Sequence, residues 1–429
     1  MSITHAVIPM SLDIEFGLTT MVVNIPEENL MGVVEPDCAP NPLGPENIFE
    51  NMIETDPEKS FETFFEDAGE QNEVLVVIND ANRPTPSYVV LEALLPFLST
   101  IKKVEVSIAT GSHKAPSEEE IVSLLGASYS ELRPSLHIHD AMDMNAHINL
   151  GDTARGTPVL FDKLLCNAPN ILVIGSVEPH YFAGYTGGRK AFLPGHSAYR
   201  TIEANHSFSL MKEASILKID GNPVHLDMVE ACGFLGQKNI YSIQLVLDCG
   251  GNIAGAFGGS LVSSLKAGIP LCRKYFVKEI QEKADIVITV AEYPMDISLY
   301  QSQKAMENAK LALKKGGILI FCSATRKGIG NTTFSDLLSS SEDLLEILEK
   351  IERKYVLGYQ KTAKFIEAIQ RYRVILVTTL ENSVVRKLHM EPVSTIEKAL
   401  ELALSIKGRD ASVLVMPKGS ALVPRVTDH

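Results

Sequence analysis

Side chains able to move protons or hold anions recur in short polar segments of this chain. His113 follows a Thr-Gly-Ser turn, and His180 follows Glu-Pro shortly after an apolar run. Imidazole exchanges protons near neutral pH, so these are the first candidates for general acid–base work. Two histidines on opposite sides of one substrate carbon suit a reaction that operates on either face. Asp80 and Arg83 lie three apart in Asp80-Ala81-Asn82-Arg83-Pro84. An aspartate can orient an imidazole and an arginine can hold a carboxylate through two hydrogen bonds, although a simple loop ion pair has the same spacing. Gly184 to Lys190 (GYTGGRK) is glycine-rich and ends in two cations. Such a turn can close backbone N–H groups on an anion. It lacks P-loop spacing, and a flexible turn before a helix reads equally well.

His206 falls in Thr201 to Met211, which reads as a helix, and is open between metal ligand, proton carrier and core histidine. No HxxxH or HExxH occurs, which argues against a zinc site built on short spacing. His137, His139 and His147 read as a polar loop, and Asp227 and Glu230 as solvated helix charges. Gln301 and Lys304 share one face at the start of a later helix.

The elements that must position these residues alternate. Apolar strands are expected at Glu73–Ile78, Lys103–Ile108 and Asn170–Ile174, then at Ala284–Val290, Gly317–Cys322, Val374–Thr378 and, last, Ser412–Met416. Helices are expected at Ser87–Thr100, Ser117–Leu125, Gln301–Lys314 and Ile396–Ile406, the second with Ser117 and Glu120 as a capping box. This alternation predicts an α/β fold of two α/β domains, with largely parallel sheets and a cleft between them. The expected division is 1–280 for the catalytic and cofactor-binding domain and 281–412 for the second, with 413–429 as a tail able to return to the first. Ligands of open α/β sheets bind beyond the carboxyl ends of the strands. The segments holding Asp80, His113 and His180 would open on one edge if their strands are parallel.

Composition limits the partners. Of 429 residues, 39 are Lys or Arg and 53 are Asp or Glu, a formal net charge of -14. So acidic a chain is poorly suited to nucleic acid, because phosphate neutralisation needs a basic surface. No apolar stretch approaches the ~18 to 20 residues of a membrane span. The start of the chain does not read as a secretory signal. The six cysteines form no CxxC pair, and reduced thiols of a cytoplasmic protein are expected.

Together the motifs resemble the nickel-dependent lactate racemase family of 2-hydroxyacid racemases and epimerases. The matching stretches are DANRP at Asp80 to Pro84, TGSHK at Thr110 to Lys114, EPHYFAGYTGGRK at Glu178 to Lys190, NHS at Asn205 to Ser207 and YQSQK at Tyr300 to Lys304. The resemblance implies a nickel-pincer nucleotide (pyridinium-3-thioamide-5-thiocarboxylic acid mononucleotide). Lys190 would be its tether, His206 a nickel ligand, and Gly187, Gly188 and Arg189 the site of its phosphate. It further implies His113 and His180 as acid/base pair. Asp80, Arg83, Tyr300, Gln301 and Lys304 would be substrate-binding residues, with Arg83 and Lys304 on the carboxylate. The expected partners are a small 2-hydroxyacid and the proteins that make the cofactor. His196, just beyond the tether segment, is read as a residue that tunes the pocket or competes for metal. The competing readings are a zinc-dependent hydrolase using His113, His180 and His206, and a non-catalytic nickel- or nucleotide-binding protein.

Overall fold

The computed structural model describes residues 9–427, which divide into two compact units. Residues 37–275 make one. The other joins the residues up to Pro36 to those from Phe276 onward.

In the 37–275 unit, seven strands form one sheet. Its order is Ile53–Glu54, Ile253–Gly259, Asn239–Leu247, Asn170–Ser176, Glu73–Asn79, Lys103–Ala109 and Leu136–Ile138. All neighbours are parallel except Asn239–Leu247 with Ile253–Gly259. The strands read as continuous apolar runs because both faces are covered. Val74, Val76 and Ile78 pack in one core with Phe64, Val90, Leu91, Leu94 and Ile121 from flanking helices, and Leu75 and Val77 are buried as well. The chain runs from Glu73–Asn79 outward through Lys103–Ala109 to Leu136–Ile138. It then returns to lay Asn170–Ser176 on the opposite side of the first of these. That reversal is a topological switch point, where the loops after adjacent strands diverge and leave a crevice.

Helix ends follow local chemistry. Ser117 accepts from the Glu120 amide while the Glu120 side chain accepts from the Ser117 amide, as expected of a capping box. The helix predicted over 301–314 is Leu299–Ala309, and Leu313 already begins the strand Leu313–Cys322. Its Lys314 and Lys315 resemble helix-surface residues, but strand pairing wins.

The second unit holds a six-stranded, wholly parallel sheet. Its order is Glu391–Val393, Arg373–Val377, Leu313–Cys322, Ala284–Val290, Val413–Met416 and Leu30–Val33. Alternate residues feed separate cores, Val287, Leu319 and Leu376 one, Ile288, Ile320 and Ile375 the other. The division therefore differs from the one read in the sequence. Leu30–Val33 completes this sheet from the start of the chain, and Val423–Val426 pairs with Val277–Ile280 of the same unit. The tail does not return to the first block, and Val413–Met416 is not the last strand. Long-range strand pairing decided this, and a linear reading does not register it.

Cys38 and Cys249 are joined as a disulfide, which corrects the expectation of six reduced thiols. Cys166, Cys232, Cys272 and Cys322 are free. Among the described residues no helix is long and apolar enough to cross a membrane.

Candidate active site

The loops leaving the switch point carry most of the predicted residues. Asp80 follows directly on Glu73–Asn79, and His113 comes four residues after Lys103–Ala109. The Asp80 carboxylate accepts a hydrogen bond from His113 Nδ1 at 2.7 Å and one from Asn82 Nδ2 at 2.7 Å. Burial, the largest influence on Asp80, opposes its ionisation. The His113 bond and the charges of His113 and Arg83 outweigh it and hold the carboxyl below its usual range. With Nδ1 committed to Asp80, a neutral His113 carries its lone pair on Nε2. Its side chain is 34% exposed against 4% for Asp80. This is the arrangement of a base held in one tautomer by a buried carboxylate. Asp80→Asn removes the tautomer lock, and an expected fall in kcat of about 10^2-fold with little change in KM checks it by steady-state kinetics.

His180 is built differently. Pro179–His180 pairs antiparallel with Gly184–Tyr185, and the tight turn between them lets the Ala183 amide donate to His180 Nδ1 at 3.2 Å. A neutral His180 so held has its ring hydrogen on Nε2. The two histidines are thus preset in opposite senses, His113 to accept and His180 to donate. For His180 to accept a proton at Nε2, its ring must let go of the Ala183 amide.

Phe182, buried in the same turn, ties the remaining residues together. Its ring lies edge-on to His180 at 4.5 Å and to His206 at 5.1 Å, and Lys190 Nζ sits 5.6 Å from its centre. Burial first, then the charges of Arg83 and Arg189, push the Lys190 amine well below its ordinary pKa. His206, on the helix Tyr199–Ser207, is pushed down to about 3, again by burial first and then by Lys190 and Arg83. Its Nδ1 is buried with no well-formed hydrogen-bond partner. Arg83 acts electrostatically on Asp80, Lys190 and His206 alike, which locates its charge in this site.

The glycine turn is otherwise engaged. Arg189 is fully buried, and its terminal nitrogens donate to the carbonyls of Ala183, Tyr185, Thr186 and Gly187 at 2.9 to 3.0 Å. The Gly188 amide donates to Gln244 Oε1 at 2.9 Å. Gly187 and Gly188 have positive φ, and a Cβ on them would collide with Gln244 and the Leu261 carbonyl. These bonds fold the loop that presents Lys190, the same turn read in the sequence as the site of the cofactor phosphate.

Several expectations from single residues are corrected. Asp227 is not solvated but fully buried. It accepts from Thr153, Thr157 and Asn205 and so anchors the helix that carries His206. Glu230 is half-buried and accepts from the Ala154 amide. His196 is a core residue, bonded at Nε2 to Ser107 and at Nδ1 to the Ala191 carbonyl. His139 and His147 are buried rather than looped into solvent, and only His137 is exposed. Phe182 and Asn82 had no signal beyond their place inside a motif, and Gln244 lies in the strand Asn239–Leu247, outside every motif.

Burial pushes the His196 imidazole down to about 4. Its folded pKa lies below the unfolded value, so the unfolded chain takes up a proton that the folded protein refuses. Stability is full above pH 6.5 and declines as the pH falls. Between pH 7 and 5 this one group is expected to cost ~2 kcal/mol. Urea unfolding at both pH values checks it, and His196→Gln should flatten the difference by that amount.

In the other unit, Tyr300, Gln301 and Lys304 occupy the first turns of Leu299–Ala309, capped by Ser298, which accepts from the Gln301 amide. Lys361 Nζ donates to the Tyr300 carbonyl at 2.8 Å and lies 4.0 Å from the centre of its ring.

Comparison with known proteins covers nearly the whole chain. Residues 16–217 match the lactate racemase N-terminal domain, and 279–423 the lactate racemase C-terminal domain. The lactate racemase of Lactiplantibacillus plantarum is 29% identical over 96% of this chain and 99% of its own. That of Thermoanaerobacterium thermosaccharolyticum is 29% identical over 97% and 99%. The structure of the latter organism's lactate racemase apoprotein superposes with a TM-score of 0.87 at 26% identity, covering 97% of this chain and all of that one. On this full-length likeness, the chain belongs to the lactate racemase family.

Proposed function

We propose that this protein racemises or epimerises 2-hydroxyacids with a nickel-pincer nucleotide held by Lys190 and His206. Membership of the family makes it an isomerase. The single observation that carries the finer reading is that Lys190 Nζ and the His206 ring both lie against Phe182, close to the Asp80–His113 couple, where burial disfavours their charged forms. A lysine amine whose ammonium form is disfavoured is a nucleophile that can be acylated, and a neutral imidazole can ligate a metal. These residues fit the group. When bound, it would supply a hydride acceptor and donor for the substrate's C2.

The chain's own residues do the rest. His113 Nε2 takes the hydroxyl proton of one enantiomer while Asp80 steadies the imidazolium that forms. The bound 2-oxo acid then presents its other face. His180 would return a proton to the substrate oxygen on that side, and the opposite enantiomer would use the two histidines in the reverse order. By the resemblance, Arg83 and Lys304 would hold the carboxylate, with Tyr300 and Gln301 as further substrate contacts. The relatives are lactate racemases, which makes lactate the first substrate to try. The cofactor would come from separate biosynthetic proteins.

The zinc hydrolase reading has no support in the geometry. Among the described residues, the group of three whose ligand atoms converge is His139, His147 and Asp162, and His113, His180 and His206 do not form one.

Intact-mass spectrometry with nickel analysis, on protein produced alongside cofactor-synthesis proteins, tests the proposal. A nucleotide adduct on Lys190, stoichiometric nickel and interconversion of single-enantiomer 2-hydroxyacids are expected. An unmodified Lys190 in protein that has met the mature cofactor would overturn it.

A further inference from the structure

We propose that His139, His147 and Asp162 form a second metal site, for a divalent ion of the zinc class, which braces the loop carrying His113. This site owes nothing to the cofactor reading. His147 and Asp162 are direct cross-strand partners in the antiparallel pair His147–Asp152 with Pro158–Asp162. His139 comes from just beyond Leu136–Ile138. One ligand atom from each lies within 4.8 Å of the others.

Hydrogen bonding sets the tautomers. His147 Nδ1 faces the Asp143 carbonyl at 2.8 Å, and His139 Nε2 faces the Ser197 carbonyl at 3.1 Å. A carbonyl only accepts, so these nitrogens carry the ring hydrogens. That leaves the lone pairs of His147 Nε2 and His139 Nδ1 directed elsewhere. The first is buried with no partner on a residue only 8% exposed. The second meets the Asp162 carboxylate, itself an acceptor, at 3.1 Å. The other Asp162 oxygen accepts from the Leu164 amide at 2.8 Å.

Three acceptors therefore face one another with no donor among them. A proton added to His139 Nδ1 would repair its contact with Asp162 but leave His147 Nε2 buried and unpaired. A cation satisfies all three. The backbone carbonyls behind both rings are the outer contacts that fix ligating histidines in place. Two imidazoles and one carboxylate suit zinc, with a fourth position for water. The Asp162 side chain, 15% exposed, leaves solvent a way in.

The brace would act on the active site through backbone. The His139 carbonyl accepts from Thr110 Oγ1 at 2.6 Å, and the Thr110 carbonyl accepts from the His113 amide at 3.1 Å. The Asp162 amide donates to the His196 carbonyl, downstream of Lys190.

The test uses full-length protein made without the cofactor and stripped with a chelator. Titration with Co2+ should give a saturable visible absorption at one equivalent, displaced by Zn2+, and Zn2+ should raise the thermal midpoint. His147→Gln should abolish both effects, while His206→Gln should keep them. Should His147→Gln not fold, 15N shifts of the histidine rings in the unsubstituted protein read the same point, with His139 Nδ1 and His147 Nε2 moving on Zn2+ addition. Absence of binding, binding that survives His147→Gln, binding lost only in His206→Gln, or ring shifts confined to other histidines would each overturn the proposal.

Discussion

Alanine at His113 or at His180 is expected to slow steady-state racemisation by about 10^2 to 10^4-fold, in both directions equally. The equality is thermodynamic. Enantiomers have the same free energy in water, so kcat/KM is the same from either side in every variant. The division of labour appears in the half-reactions. Forming bound 2-oxo acid from one enantiomer needs a base on one side of C2, and from the other enantiomer a base on the other side. His113→Ala should slow this step for one enantiomer by about 10^2 to 10^4-fold and leave the other within about 10-fold, and His180→Ala should reverse the preference. Rapid-quench measurement of 2-oxo acid from each pure enantiomer decides the matter. Equal slowing from both enantiomers in both variants would end the assignment of one histidine to each face. The preset tautomers add a second readout. His113 Nδ1 is locked on Asp80, whereas His180 Nδ1 accepts from an amide that it must release before Nε2 can take a proton. The pH profile of the His180-dependent half-reaction should therefore respond less to Asp80→Asn than the His113-dependent one.

Replacing Lys190 should abolish activity while making the metal-free, cofactor-free protein more stable. Burial, then Arg83 and Arg189, hold its pKa well below the ordinary lysine value. The unfolded chain thus binds this proton more tightly than the folded site does, and below the unfolded pKa of about 10.4 this works against folding, increasingly as the pH falls. Lys190→Met supplies an uncharged side chain of similar length beside Phe182 without that cost. Its urea midpoint at pH 7 should exceed the unsubstituted protein's, with the gap closing as the pH approaches 10. Mass analysis should find no adduct, and no racemisation should be detectable. Lys190→Arg should also be inactive, because a guanidinium stays charged and is no nucleophile, and it should not gain stability. A Lys190→Met protein that racemises, or one less stable than its parent at pH 7, would contradict this account. The result fits a general pattern in which a reactive group is kept at the expense of stability.

Much of the site was legible because its chemistry is local. DANRP, TGSHK and EPHYFAGYTGGRK each follow an apolar run that is almost necessarily a strand, and the carboxyl ends of parallel strands are where α/β sheets bind ligands. The capping box at Ser117 and Glu120 was equally local, since four consecutive residues determine it. Asp227 was misread for the opposite reason. Its charge pattern is that of a surface helix, and only the fold brings Thr153, Thr157 and Asn205 around it.

The sequence by itself determined residue chemistry, the alternation of strands and helices, and the family motifs. Each of these depends on residue type and spacing over a few positions. Tertiary structure alone decided which groups are free to act. Arg189 and Gly188 look like anion ligands in the chain, yet the fold turns the Arg189 terminal nitrogens and the Gly188 amide onto Ala183, Tyr185, Thr186, Gly187 and Gln244. His139 and His147 look like a polar loop, yet the fold buries both, His147 as the cross-strand partner of Asp162 and His139 with Nδ1 against the same carboxylate. Leu30–Val33 finds its place beside Val413–Met416, across most of the chain. The physical reason is common to all three. Hydrogen-bond satisfaction and burial depend on neighbours distant in sequence, and one chain's order does not say which distant segments will meet.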